Sequence, residues 1–127
     1  MKQSIFALKQ DTKILDQYIL IKGAQSLRAS FDKHELDPES IDHVLAHISS
    51  GYFKEGLKEE FANVGLDFPW EKWFYNLSEV GNIGAGSIFI AVEQLMNSGK
   101  LKKGEKILLC VPESGRFAYS CALLTVC

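Results

Sequence analysis

Between Asp11 and Phe31 the apolar positions Ile14, Leu15, Tyr18, Ile21, Ala24, Leu27 and Phe31 recur at a spacing that predicts a helix. Asp11 or Thr12 can cap its start, because either side chain accepts a free amide of the first turn. "LDPES" predicts a turn, with Pro38 opening a short helical piece after Asp37. "IDHVLAHI" is short, apolar and rich in β-branched residues, the signature of a buried strand. In "SSGYFKEGLKEEFANVG" the residues Phe53, Leu57, Phe61 and Val64 share one helix face. Ser49 or Ser50 can cap that helix and Gly65 can end it. "LDFPWEKWFYNLSEV" is aromatic-dense and irregular, which predicts a packed connection with one helical turn after Pro69.

A helix beginning near Gly84 or Ala85 and ending at Gly99 is apolar almost all round in its first half, through Ile88, Phe89, Ile90, Ala91 and Val92. That pattern predicts burial on more than one side. "KLKKGEK" is a charged turn, and "KILLCV" is a continuous apolar strand of the kind covered on both faces. "RFAYSCALLTVC" is a second long strand, joined to the first through the tight "PESG". Helices alternate with strands and a strand pair closes the chain, so the class is α/β, a mixed sheet with packed helices, in one domain over residues 1–127. No repeat or linker interrupts it. A helix buried on several faces needs covering layers, and few elements here can supply them, so the chain reads as part of something larger.

Composition narrows the function. The 127 residues are 46% hydrophobic and 24% charged, ordinary for a globular protein. A net charge of −2 gives no electrostatic footprint for nucleic acid. No apolar run reaches membrane-spanning length, and "MKQSIFALKQDTK" lacks a signal-peptide core. Three cysteines, Cys110, Cys121 and Cys127, lie in apolar strand-like surroundings and read as small core hydrophobes. A reduced, cytoplasmic compartment is expected.

Four features can carry chemistry. His47 stands at the end of a buried strand, where side chains of α/β folds emerge into crevices; it reads either as a site residue or as a histidine satisfied by a nearby carbonyl. His43 shares its face, but no further ligand spacing makes a metal site, and no metal or cofactor is expected. "GNIGAGS" is neither a P-loop nor GxGxxG; its amides can hold an anion, or its small residues can let a helix approach closely. The Gly115 turn serves backbone geometry or presents an amide to a developing oxyanion. The cysteines lack the polarising neighbours that a reactive thiol needs.

Taken in order, "AHISSGYF", "EVGNIGAGSIFIAVEQLMNSGKLKKGEKILL" and "SGRFAYSCALLTV" resemble the C-terminal half of β-ketoacyl-acyl-carrier-protein synthase III and related thiolase-like condensing enzymes. The resemblance implies a thiolase-like fold and a decarboxylative condensation of an acyl thioester with a malonyl thioester. It places a catalytic His at His47 and a catalytic Asn at Asn82, with the Gly115 amide in the oxyanion hole. It also implies that the Cys nucleophile lies on an absent N-terminal half, that carrier-protein or coenzyme A thioesters are the partners, and that the protein is a homo-oligomer. Departures from the family pattern are Ile48, where Gln often follows the His, and Ser114-Gly115-Arg116 in place of three glycines; Arg116 sets a large cation near the expected pocket. Two other classes fit the residues: a separate subunit completing its site with a Cys-bearing partner chain, and a non-catalytic acyl- or anion-binding module. Lys100, Lys102, Lys103 and Lys106 fit either a solvated turn or a surface for an acidic carrier protein.

Overall fold

Three strands form a mixed sheet in the order β1-β2-β3, with helices on both faces. The computed structural model describes residues 11–127; the reading of the first residues as lacking a signal-peptide core falls largely outside them. β1 (His43–Ala46) runs parallel to β2 (Lys106–Glu113), and β2 runs antiparallel to β3 (Ala118–Thr125). Side chains alternate across the pleat. Val44 and Ala46 therefore face the same cluster as Leu108 and Cys110, whereas Leu45 and Ile107 face the other.

The first cluster lies under α1 (Thr12–Lys33) and α2 (Lys54–Asn63), which contribute Ala24, Leu27, Phe31, Leu57 and Phe61. The Asp11 carboxylate caps α1 by accepting from the Lys13 and Ile14 amides. Only the second half of the expected α1 face is deeply buried. Ile14, Tyr18 and Ile21 remain exposed, because no described element packs over that side of the first turns. Pro38 opens a short 3-10 turn capped by Asp37, and Ser50 caps another at Gly51–Phe53 that leads into α2.

The aromatic connection is a wall rather than a loop. Trp70–Lys72 forms the helical turn expected after Pro69, Trp73 bridges to Val44, and its indole N–H donates to the Phe68 carbonyl at 2.9 Å. Phe61, Trp73 and Tyr75 stack in sequence, with the Lys54 ammonium 4.9 and 4.8 Å from the ring centres of Trp70 and Tyr75. A single-turn α3 (Leu77–Val80) then leads into the glycine loop.

The second cluster lies under α4 (Ser87–Asn97), which buries Ile88, Ala91 and Leu95. Here the sequence expectation is corrected. α4 is buried on one face, not on several: Phe89 is 74% exposed and Met96 65%, since no described residue covers its outer side. β3 departs in the same way. It is the outer strand of the sheet, so Cys110 on β2 is buried as expected, whereas Cys121 and Cys127 are exposed. Among the described residues no helix is long and apolar enough to cross a membrane.

Candidate functional site

The His47 amide donates to the Cys110 carbonyl at 2.8 Å, carrying the parallel ladder one residue past β1. That bond fixes His47 at the carboxyl end of a strand, where α/β sheets open crevices. The chain turns away immediately afterwards, because the Ser50-capped 3-10 turn breaks the extended run. The imidazole is half-buried, and desolvation holds its pKa below the ordinary 6.5, so it is neutral at pH 7. Among the described residues neither ring nitrogen of His47 has a hydrogen-bond partner.

Asn82 comes to the same place from the other side of the sequence. It sits between Gly81 and Gly84, whose φ angles of 76° and 65° lie in the left-handed region that favours glycine. A Cβ added at either glycine would meet nothing within 4 Å. Backbone conformation, not close helix packing, is what demands glycine at these two positions. The Asn82 Oδ1 accepts from the Gly84 amide at 2.9 Å, which orients the carboxamide and leaves Nδ2 as its donor. Nδ2 lies a long 3.5 Å from the Ser49 carbonyl, two residues past His47. The Ile83 amide donates to Ser87 Oγ at 3.1 Å. Two amides that an anion would need are thus already engaged.

His47 and Asn82 line one cavity of about 390 Å³ between α1 and the sheet. Its walls are mostly apolar, with Leu15, Ile19 and Leu20 from α1, Cys110 from β2, and Tyr119 and Cys121 from β3. The contribution of α1 was hidden in the sequence, where Leu15 read as ordinary packing and Ile19 and Leu20 lay outside the expected apolar face. Tyr119 was missed too; the only signal was one large amphipathic ring in an otherwise small-residue stretch, "AYSCA". The structure does not bring Gly115 to this cavity. Ser114 lines it instead, and the Gly115 and Arg116 amides both donate to the Glu113 carboxylate. The Arg116 side chain is 88% exposed and points to solvent rather than into the site. Ile48 is buried in the core cluster, so the position after His47 offers an aliphatic wall.

His43 takes no part. Its Nε2 pairs with Glu105 Oε2 at 2.8 Å at the opposite end of β1, and Glu105 also accepts the Lys102 amide. The His43 hydrogen bond, then the Lys102 amide, hold the Glu105 carboxyl below its usual value. Among the described residues no three His, Cys, Asp or Glu side chains gather to hold a metal.

Comparison with known proteins matches this arrangement to a family. Residues 31–126 fit the family model described as 3-oxoacyl-[acyl-carrier-protein] synthase III C terminal. The β-ketoacyl-[acyl-carrier-protein] synthase III of Aquifex aeolicus is 32% identical over 109 residues, covering 77% of this chain and 34% of the relative. The enzyme of the same name from Koribacter versatilis is 26% identical over 113 residues, 89% of this chain and 32% of the relative. The crystal structure of the Aquifex aeolicus synthase superposes with a TM-score of 0.75 at 26% identity, over 92% of this chain and 36% of that one. The chain thus spans about a third of the length of these relatives, and its mixed sheet with helices on both faces is a portion of the thiolase-like fold. By sequence and by fold, this chain belongs to the 3-oxoacyl-[acyl-carrier-protein] synthase III C-terminal family.

Proposed function

We propose that the chain supplies the His and Asn of a decarboxylating condensing enzyme, with the nucleophilic Cys carried by a part of the protein outside these residues. The observation that carries this reading is the shared cavity: a neutral imidazole whose ring nitrogens have no hydrogen-bond partner among the described residues and a carboxamide oriented through its oxygen line the same space. Loss of carbon dioxide from a malonyl thioester moves an electron pair onto the thioester carbonyl, and negative charge collects on its oxygen. The N–H of neutral His47 and the Nδ2–H of Asn82 are the donors for that oxygen. A neutral imidazole stabilises the charge without surrendering its proton, which an imidazolium would be apt to transfer. The enolate carbon then attacks an acyl thioester on the absent Cys, and the thiolate departs.

None of the chain's own thiols fits the nucleophile's role. Cys110 is buried and its pKa is held well above that of an ordinary thiol, Cys127 lies beyond the end of β3, and Cys121, though it lines the cavity, stands on a strand facing Cys110 rather than at a helix N-terminus. The internal pairing of the Gly84 and Ile83 amides weighs against an anion-binding module. The reading carries with it thioesters of carrier protein or coenzyme A as partners, together with the Cys-bearing half.

The test uses the complete enzyme. His47→Ala and Asn82→Ala should each slow malonyl-thioester decarboxylation by about 10²–10³-fold, while acylation of the Cys persists. Decarboxylation unchanged in both variants would refute the assignment.

A further inference from the structure

Cys110 and Cys121 stand directly opposite each other in the β2–β3 register. The Cys110 carbonyl accepts from the His47 amide and therefore points toward β1. Within a strand the N–H and C=O of one residue point to the same side, so both main-chain groups of Cys110 turn away from β3. The two cysteines form a non-hydrogen-bonded antiparallel pair, in which opposed Cα atoms lie about 4.5 Å apart and the side chains converge on one face. A disulfide accepts Cα separations of about 4.4–6.8 Å, so this pairing lies at its short end. Cys127, beyond the end of β3, has no facing cysteine in the register.

The surroundings suit oxidation. Both side chains line the cavity, Cys121 is exposed, and Cys110 is buried behind it. The facing thiol lowers the Cys121 pKa and raises that of Cys110, which burial raises further. Cys121 is the thiol that an oxidant meets first, and Cys110 is the one that closes on it.

We propose that Cys110 and Cys121 are a reversible dithiol–disulfide couple in the cavity wall, a modification site for peroxide. The Cys121 thiolate attacks one peroxide oxygen, the O–O bond breaks, and a sulfenic acid forms with release of one water. The Cys110 sulfur displaces the sulfenic hydroxyl, the S–S bond forms, and a second water leaves. Two thiols lose two electrons and two protons, and the peroxide receives them. Cys121 is exposed, and exposed disulfides are the more readily reduced, which makes the bridge a labile couple rather than a structural one. This inference does not depend on the condensing role of His47 and Asn82.

The test treats the reduced chain, carrying Cys127→Ser to remove the third thiol, with hydrogen peroxide. After denaturing alkylation, cleavage at Arg116 separates the two cysteines. The expected product is a monomer lighter by two hydrogens, in which the peptides 107–116 and 117–127 are joined and come apart with dithiothreitol. Cys110→Ser should stop at a Cys121 sulfenic acid that dimedone traps. Alkylated Cys110 beside an overoxidised Cys121, or disulfide-linked dimers without an internal bridge, would overturn the proposal.

Discussion

The phenol of Tyr119, on β3, donates to the main-chain carbonyl of Ile19, on α1, at 2.7 Å across 100 residues of sequence. Its ring lies against Gly23, where an added Cβ would come within 2.9 Å of Cε1. One side chain thus ties the outer strand to the helix that roofs the cavity. Tyr119→Phe should cost about 1 kcal/mol, the net value of one hydrogen bond. The check is a lowered denaturation midpoint at unchanged slope, with faster amide exchange in the first turns of α1. Gly23→Ala should also destabilise, because displacing the ring outweighs the better helix propensity of Ala, and the two changes should combine less than additively.

Tyr75 makes the opposite case. Among the described residues its hydroxyl is buried without a hydrogen-bond partner, and burial, followed by the nearby Glu55 charge, pushes its pKa well above that of an ordinary phenol. Removing a buried donor that makes no bond recovers its desolvation cost, about 1 kcal/mol. Tyr75→Phe should therefore be stabilising or neutral in urea unfolding. A clear loss of stability would show that the hydroxyl is bonded in solution.

His47 links the site to pH. Its folded pKa lies below the unfolded 6.5 because burial disfavours the imidazolium. As pH falls below 6.5 the unfolded chain takes up this proton first, so stability drops between 6.5 and the folded value, whereas above 6.5 this group adds no pH dependence. Proton NMR of the His47 ring should give a midpoint below 6.5, and His47→Gln should remove that part of the acid destabilisation.

The bare side of α4 predicts association. Phe89 and Met96 place large apolar surfaces in water on a helix whose other face is core. The isolated chain is expected to self-associate as concentration rises, and Phe89→Lys together with Met96→Lys should return it to a monomer in sedimentation velocity. A clean monomer of the unaltered chain at high concentration would count against this.

Local signals proved legible wherever the chain itself supplies the partner. Asp11, Asp37 and Ser50 cap as their side-chain oxygens dictate, and the Leu57–Phe61 face of α2 finds its core. The expectation of α4 buried on several sides failed for a different reason. Among the described residues nothing packs over its outer side, so Phe89 reads as core in sequence and stands in solvent in the structure. Cys121 and Cys127 were misread because periodicity cannot reveal which strand is outermost. The settings of His47 and Asn82, a strand end and a glycine-bracketed loop, were legible, and both residues line the cavity; their catalytic roles rest on the proposed function. The Gly115 amide was not, because nothing in "PESGR" announces that Glu113 folds back onto it.

The aromatic wall beside α2 also decides what light can report about this protein. Its two tryptophans, Trp70 and Trp73, have ring centres 5.6 Å apart and belong to the same stack as Tyr75. Intrinsic emission will therefore follow the layer beneath α1 and α2 and stay nearly blind to the departure of α4 on the far side of the sheet. A fluorescence melt and a circular-dichroism melt that disagree would mean that the two layers come apart separately.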